Sequence, residues 1–192
     1  MDQRQKGVKH TRIDPRSTVD GSITDMSLLR FCEWLADTPG SIALHESRYM
    51  FLIVLTVHVL TLALFVGTAI MIDLRILGAM MVRVRASEVI ARLLPWTVAG
   101  FVVMVTSGAL LFYSAPLVRY HNLFFRFKMV ALVLALLNVW VFHATVYRRV
   151  AEWDLDPVPP RRARVAGGVS LVLWALIITA GRMMAYQGYW FE

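Results

Sequence analysis

Cysteine is nearly missing from this chain. The single thiol, Cys32, cannot close an internal disulfide, and no Cys/His set stands at structural-zinc spacing. Also missing are a Ser/His/Asp set, a nucleophilic cysteine, a phosphate-binding glycine loop and paired carboxylates within an apolar run, which argues against hydrolysis, phosphoryl transfer and proton pumping. Acidic residues are few, 13 Asp and Glu against 20 Lys and Arg, for a net charge of +7. The arginines nevertheless cluster at the ends of apolar runs rather than along a polar surface, so the anionic partner they fit is a lipid headgroup layer and not nucleic acid. Residues 1–24 lack any apolar stretch that could form a signal-peptide core. With Arg4, Lys6, Lys9, Arg12 and Arg16, they read as a disordered basic extension.

What the chain has in excess is apolar residues. They fill 58% of 192 positions, with a mean hydropathy of +0.59, more than a soluble domain of this size carries. A bilayer core about 30 Å thick takes roughly 20 helical residues at ~1.5 Å each. Runs free of Asp, Glu, Lys and Arg, completed by flanking residues where short, predict four spans at about 49–72, 93–118, 124–147 and 165–186. Ahead of them Leu28, Phe31, Cys32 and Leu35 recur at helical spacing, with Trp34 alongside, up to the break at Thr38-Pro39-Gly40. That pattern predicts a short amphipathic helix in the membrane interface. The expected fold class is all-α: an integral membrane four-helix bundle over residues 25–192, with the short amphipathic interfacial helix at its N-terminal end.

An even number of spans puts both ends on one side. The first and third connections hold nine basic residues (Arg75, Arg83, Arg85, Arg92, Arg148, Arg149, Arg161, Arg162, Arg164), and the other side holds six (Arg30, Arg48, Arg119, Arg126, Lys128, Arg182). This bias predicts termini outside. The five basic residues of 1–24 reverse the balance, and a translation start at Met26 would remove them.

Ionisable groups within spans are costly and mark functional candidates. His58 shares a face of the first span with Thr61, Leu62 and Phe65. It fits either a neutral imidazole hydrogen-bonded across the bundle or a ligand to haem or metal. His143 lies near the far end of the parallel third span, at a depth differing by roughly 15 Å or more, so both cannot bind one iron within one chain. Gly100, Met104 and Gly108 fall at i, i+4 and i+8 of the second span. They form a face of little bulk at the level of His58, where a flat macrocycle could lie with His58 and Met104 as axial ligands. Close helix packing through small residues is the alternative. At the entrance to the third span, His121 and Lys128 share one face by spacing and Arg126 points away. With Arg182 they form a basic mouth that either snorkels to headgroups or pairs with haem propionates. Asp73 and Arg75 read as an interfacial ion pair or helix-end anchor.

The segments Met26-Ser27-Leu28-Leu29, Trp34-Leu35, Thr38-Pro39, His58-Val59-Leu60, Asp73-Leu74-Arg75-Ile76-Leu77-Gly78, Leu94-Pro95-Trp96, Tyr120-His121-Asn122, Arg126-Phe127-Lys128-Met129 and Phe142-His143 together resemble an uncharacterised family of four-helix bacterial inner-membrane proteins. The resemblance covers about residues 26–186. It implies an inner-membrane location, in which the termini that the charge bias puts outside are periplasmic, and that the first 25 residues are an extension. More distantly, the chain is similar to CopD-type copper-resistance permeases and membrane protoporphyrinogen oxidases, which implies roles for His58, Arg75, Lys128 and His143. The Lys128-to-His143 interval departs from the oxidase pattern by about one turn. The functional expectation is a small membrane subunit that binds haem b and exchanges electrons with a partner protein, in a bilayer and in some cases as a homo-oligomer. Copper handling, with His121 and His45 feeding His58 and the methionines, is the alternative, and so is a structural or assembly subunit without cofactor.

Overall fold

The computed structural model of the chain describes residues 19–187, all helical or connecting. Helix α1 (Val19–Ala36) and α2 (Pro39–Glu46) are followed by two long helices, α3 (Arg48–Leu77) and α4 (Ala86–Ser114). A short α5 (Pro116–Tyr120) leads into α6 (Leu123–Val141), which continues through a π-helical turn (Phe142–Val146) and a 3-10 segment (Tyr147–Glu152). Helix α7 (Arg161–Met183) ends in a single 3-10 turn, Met184–Tyr186. Four helical stretches, Arg48–Leu77, Ala86–Ser114, Leu123–Glu152 and Arg161–Tyr186, are long and apolar enough to cross a membrane. The extension expected over residues 1–24 lies outside the described residues as far as residue 18, and α1 begins ahead of Asp25.

Helix limits follow from local chemistry and move several expected boundaries. The first span does not stop before Asp73: the helix runs to Leu77 and closes on Gly78 in the left-handed conformation (φ 74°). The second helix starts at Ala86 rather than near 93, because Glu88 and Arg92 form an i,i+4 ion pair (2.7 Å) on its exposed side. It ends at Ser114 rather than 118, since Pro116 begins the next helix. Asn122 caps α6 by accepting from the Phe125 N–H (3.1 Å) and donates to the Met184 carbonyl (3.1 Å), which joins α6 to the end of α7.

The four long helices form an open row. Helix α3 packs on α4 and α7, and α7 packs on α6, whereas α4 meets the third span at its two ends, through the stacked Phe112 and Phe125 rings (5.5 Å between centroids) and through the 3-10 segment Tyr147–Glu152. Between helices in lipid there is little hydrophobic driving force, so close approach depends on small residues. Gly100 lies on the Phe65 main chain, and Gly167 lies on the Asp73 carbonyl. The shared core holds Phe65, Val66, Met104, Ala131, Ala135, Trp174 and Ile177. Outward-facing positions such as Leu60, Val102, Val133 and Val172 are exposed, as lipid contact requires.

The two ends of the bundle differ. At the end carrying α1 and α2, the cap end, the Thr38 hydroxyl lies 2.7 Å from the Tyr113 hydroxyl, and Ser41 donates to the Tyr113 carbonyl (2.7 Å). Phe31 and Trp34 stay exposed beside them, as interfacial aromatics do. At the opposite end, the clasp end, the two connections interlock. Asp154 accepts from the Ser87 N–H (2.7 Å) and hydroxyl (2.8 Å), so a residue from the last connection caps α4. Burial pushes the Asp154 carboxyl up, but these two hydrogen bonds and the charges of Arg85 and Arg75 outweigh it and hold it below the usual carboxylate range. The Arg75 side chain, 0% exposed, donates to the carbonyls of Val84 (2.9 Å) and Asp154 (3.2 Å). Asp73 is buried too, and among the described residues it forms no ion pair. The expected Asp73–Arg75 pair is therefore corrected: Arg75 is a clamp between connections, and Asp73 points into the bundle, since residues two apart on a helix diverge.

Candidate functional site

Of the residues singled out on the second span, Gly108 lies against the His58 ring, and Ser107 beside it supplies the polar partner. The His58 Nδ1 lies 2.9 Å from the Ser107 hydroxyl. That hydroxyl has one hydrogen, already directed to the Val103 carbonyl (2.7 Å). With the hydroxyl hydrogen on Val103, the fitting tautomer is Nδ1–H, which leaves the Nε2 lone pair free; in the other tautomer Nδ1 accepts from Ser107. A Cβ on Gly108 would stand 3.2 Å from His58 Cε1, and one on Gly100 would stand 3.2–3.3 Å from Phe65 atoms. Met104 is buried in the shared core. The Gly100–Met104–Gly108 face is thus occupied by α3 itself, the close-packing arrangement, and the seam leaves no gap for a macrocycle.

The basic residues separate. Lys128 reaches into the bundle against Gly181, with its Nζ 3.7 Å from where a Cβ would stand, and lies near enough to His58 for their charges to interact. Arg126 stands over the Tyr120 ring (6.0 Å to the centroid), and Arg182 over the Tyr186 ring (5.3 Å), donating to its hydroxyl. His121 closes α5 with its Nδ1 on the Leu117 carbonyl (2.9 Å) and stays exposed. The expected shared face of His121 and Lys128 is corrected, because the chain turns at Asn122 between them. His45 is exposed on α2. Among the described residues no group of three His, Cys, Asp or Glu side chains is arranged to hold a metal ion.

A second constellation lies nearer the clasp end. Between α4 and α6, where the row of helices stays open, is a cavity of about 190 Å³. Phe65, Phe101, Phe142 and Trp174 supply much of its apolar wall, and Asp73, Thr97, Asn138, His143 and Ser170 are its polar members. Asp73 is 7% exposed, and its Oδ2 has no hydrogen-bond partner. The Ser170 hydroxyl faces the same carboxyl. Both walls carry a break in regular helix: Pro95 inside α4, which cannot donate to the Ala91 carbonyl, and the π turn Phe142–Val146 in the third span. His143 belongs to that turn, with its Nδ1 on the Val139 carbonyl (2.9 Å). As expected from depth, His58 and His143 belong to different neighbourhoods.

Asn138 and Ser170 are the site residues that a search for ionisable groups along the sequence misses, and Asp73 is read there only as a helix-end group. The signal for them is polar character inside apolar runs, Asn138 in the third and Ser170 in the fourth.

Fold and site together define a multi-pass helical membrane protein with a polar-tipped cavity inside its spanning region. More specifically, the chain belongs to a family of unknown function (DUF6644), whose family model matches residues 31–187. No curated protein and no solved structure matches it.

Proposed function

We propose that this protein binds a small, mainly apolar molecule in the cavity between α4 and α6, with Asp73 holding the molecule's polar end. The buried, unpartnered Oδ2 of Asp73 in an apolar cavity carries this reading. Leaving such an acceptor unmade costs about 1–3 kcal/mol or more, and a donor on a ligand recovers it. Ligand sites commonly pair apolar walls with a few convergent polar groups, and an intramembrane carboxyl is a functional candidate by its cost alone. The test is chemical. Dicyclohexylcarbodiimide, itself small and apolar, should modify Asp73 in the folded protein, seen by peptide mass mapping and lost in Asp73→Asn. An Asp73 that reacts only after unfolding would overturn the reading.

A second proposal keeps the redox or metal role at His58. It is supported by the half-buried imidazole whose Nδ1 is held by Ser107, so that Nε2 is the nitrogen a haem b iron or a copper ion would take. With Gly100 and Gly108 in contact with α3, a haem would lie on a side of His58 other than the α3–α4 seam. Electron exchange with a partner protein, or copper handling, would follow from the group bound. A reduced-minus-oxidised b-type spectrum of the purified protein supports haem, and colourless protein with bound copper supports the other metal. Protein with neither favours a structural or assembly subunit.

A further inference from the structure

We infer that the ligand of the Asp73 cavity is a lipid-soluble hydrogen-bond donor, of the phenol, hydroquinone or alcohol type, that enters sideways from the bilayer through the open seam between α4 and α6. This rests on the cavity reading above. The donor requirement comes from a census of the polar groups. Asn138 spends one Nδ2 hydrogen on the Ala166 carbonyl (3.0 Å), His143 spends Nδ1 on the Val139 carbonyl (2.9 Å), and the one hydroxyl hydrogen of Thr97 is shared between Thr68 (2.9 Å) and the Leu93 carbonyl (3.0 Å). Ser170 directs its hydroxyl to the Asp73 carboxyl, and apart from the second Nδ2 hydrogen of Asn138 what these side chains retain is acceptor capacity: Asn138 Oδ1, His143 Nε2 and the unpartnered Asp73 Oδ2. A ligand that brought only acceptors would leave them all unsatisfied, whereas one hydroxyl supplies what Asp73 lacks.

The route comes from the helix row. Helices α4 and α6 touch through the stacked Phe112 and Phe125 rings at the cap end (5.5 Å between centroids), their backbones do not approach closely along the rest of their length, and the cavity, nearer the clasp end, draws its lining from both. Lining residues of the two walls also face outward: Val98 is 51% exposed, Leu136 45% and Val139 40%. On spanning helices such exposure is to lipid, so the mouth of the cavity opens into the hydrocarbon. Interlocked connections cover the clasp end beyond it.

The rate of Asp73 modification by dicyclohexylcarbodiimide, in protein reconstituted into phosphatidylcholine vesicles, tests both parts. 4-Ethylphenol should protect Asp73 about tenfold better than 4-ethylanisole, which differs by a methyl on the oxygen, as one hydrogen bond to a charged or strongly polar acceptor implies. Val98→Trp and Val139→Trp, at the mouth, should slow modification at least severalfold, while Leu60→Trp, exposed on the first span, should not. Equal protection by phenol and ether would overturn the donor class. Unchanged rates in both mouth variants, or equally fast modification by a water-soluble carbodiimide, would overturn the lateral route. Failure of Asp73 to react in any folded sample would instead remove the cavity reading on which both rest.

Discussion

Replacing Gly100 by alanine should destabilise the bundle, and replacing Gly67 should not. A Cβ at Gly100 would sit 3.2 Å from Phe65 Cβ and 3.3 Å from its Cα and N, whereas one at Gly67 meets nothing within 4 Å. Carbon contacts prefer about 3.5–4.0 Å. The three obstructing atoms are the root of a residue in α3, which cannot swing aside, so α3 and α4 must part by a few tenths of an ångström. Such overpacking costs about 1–3 kcal/mol. Alanine also favours helix over glycine by up to ~1 kcal/mol, but this gain is common to both variants and cancels in their difference. Gly100→Ala should therefore lie about 1–3 kcal/mol below Gly67→Ala in reversible unfolding by sodium dodecyl sulfate in mixed micelles. Gly108→Ala should fall between them, because it meets only the His58 ring, which can turn at the expense of its contact with Ser107. Equal stability of Gly100→Ala and Gly67→Ala would refute the direct α3–α4 contact and reopen that face as a place for a bound group.

Asp154→Ala should cost about 1–2 kcal/mol through loss of the α4 cap. Because the native carboxyl is held below its usual range, this stabilisation is complete above the ordinary carboxylate pKa of about 4 and is lost as pH falls through the lower native value; unfolding of wild type and variant should converge in acid and not at alkaline pH. Arg75→Ala should cost about 2–4 kcal/mol by removing the donor to the Val84 carbonyl and one of the two donors to the Asp154 carbonyl, and by leaving a cavity where a fully buried side chain stood. Arg75→Met should cost less, since it removes the same buried charge and unpartnered Nη1 but keeps much of the buried side-chain volume, and a thermal melt that ranks Met below Ala would contradict the close packing of this side chain. Reporter fusions after Arg85 and after Arg162 should both report cytoplasm if basic-residue bias sets the orientation, and an external signal from both would reverse it.

Four apolar runs were enough to foresee four helices because hydropathy depends on composition and length alone. The same rule misplaced their ends wherever a charge sits on a helix: Asp73 was taken to stop the first span, and Arg92 to delay the second, although one is buried and the other is paired on the surface. Depth arithmetic correctly separated His58 from His143, because rise per residue is fixed. It could not decide what filled the Gly100–Gly108 face, since that depends on which side chains of α3 arrive there. Asn138 and Ser170 carry no charge, so a search for ionisable groups passed over two residues that share the cavity with Asp73. His121 was joined to Lys128 by spacing alone, and the cap at Asn122 broke the helix on which that spacing relied.

Mechanically, α4 is a beam pinned at both ends. Tyr113 fastens it to Thr38 and Ser41 at one end, and Ser87 fastens it to Asp154 at the other. A pinned beam yields between its fastenings, and there, about a third of the way from the Ser87 end, Pro95 has already removed one rung of the helical ladder. The seam facing α6 can thus widen by flexure about Pro95 while both fastenings hold, so its compliance is a local property of the backbone and does not draw on the stability of the bundle as a whole.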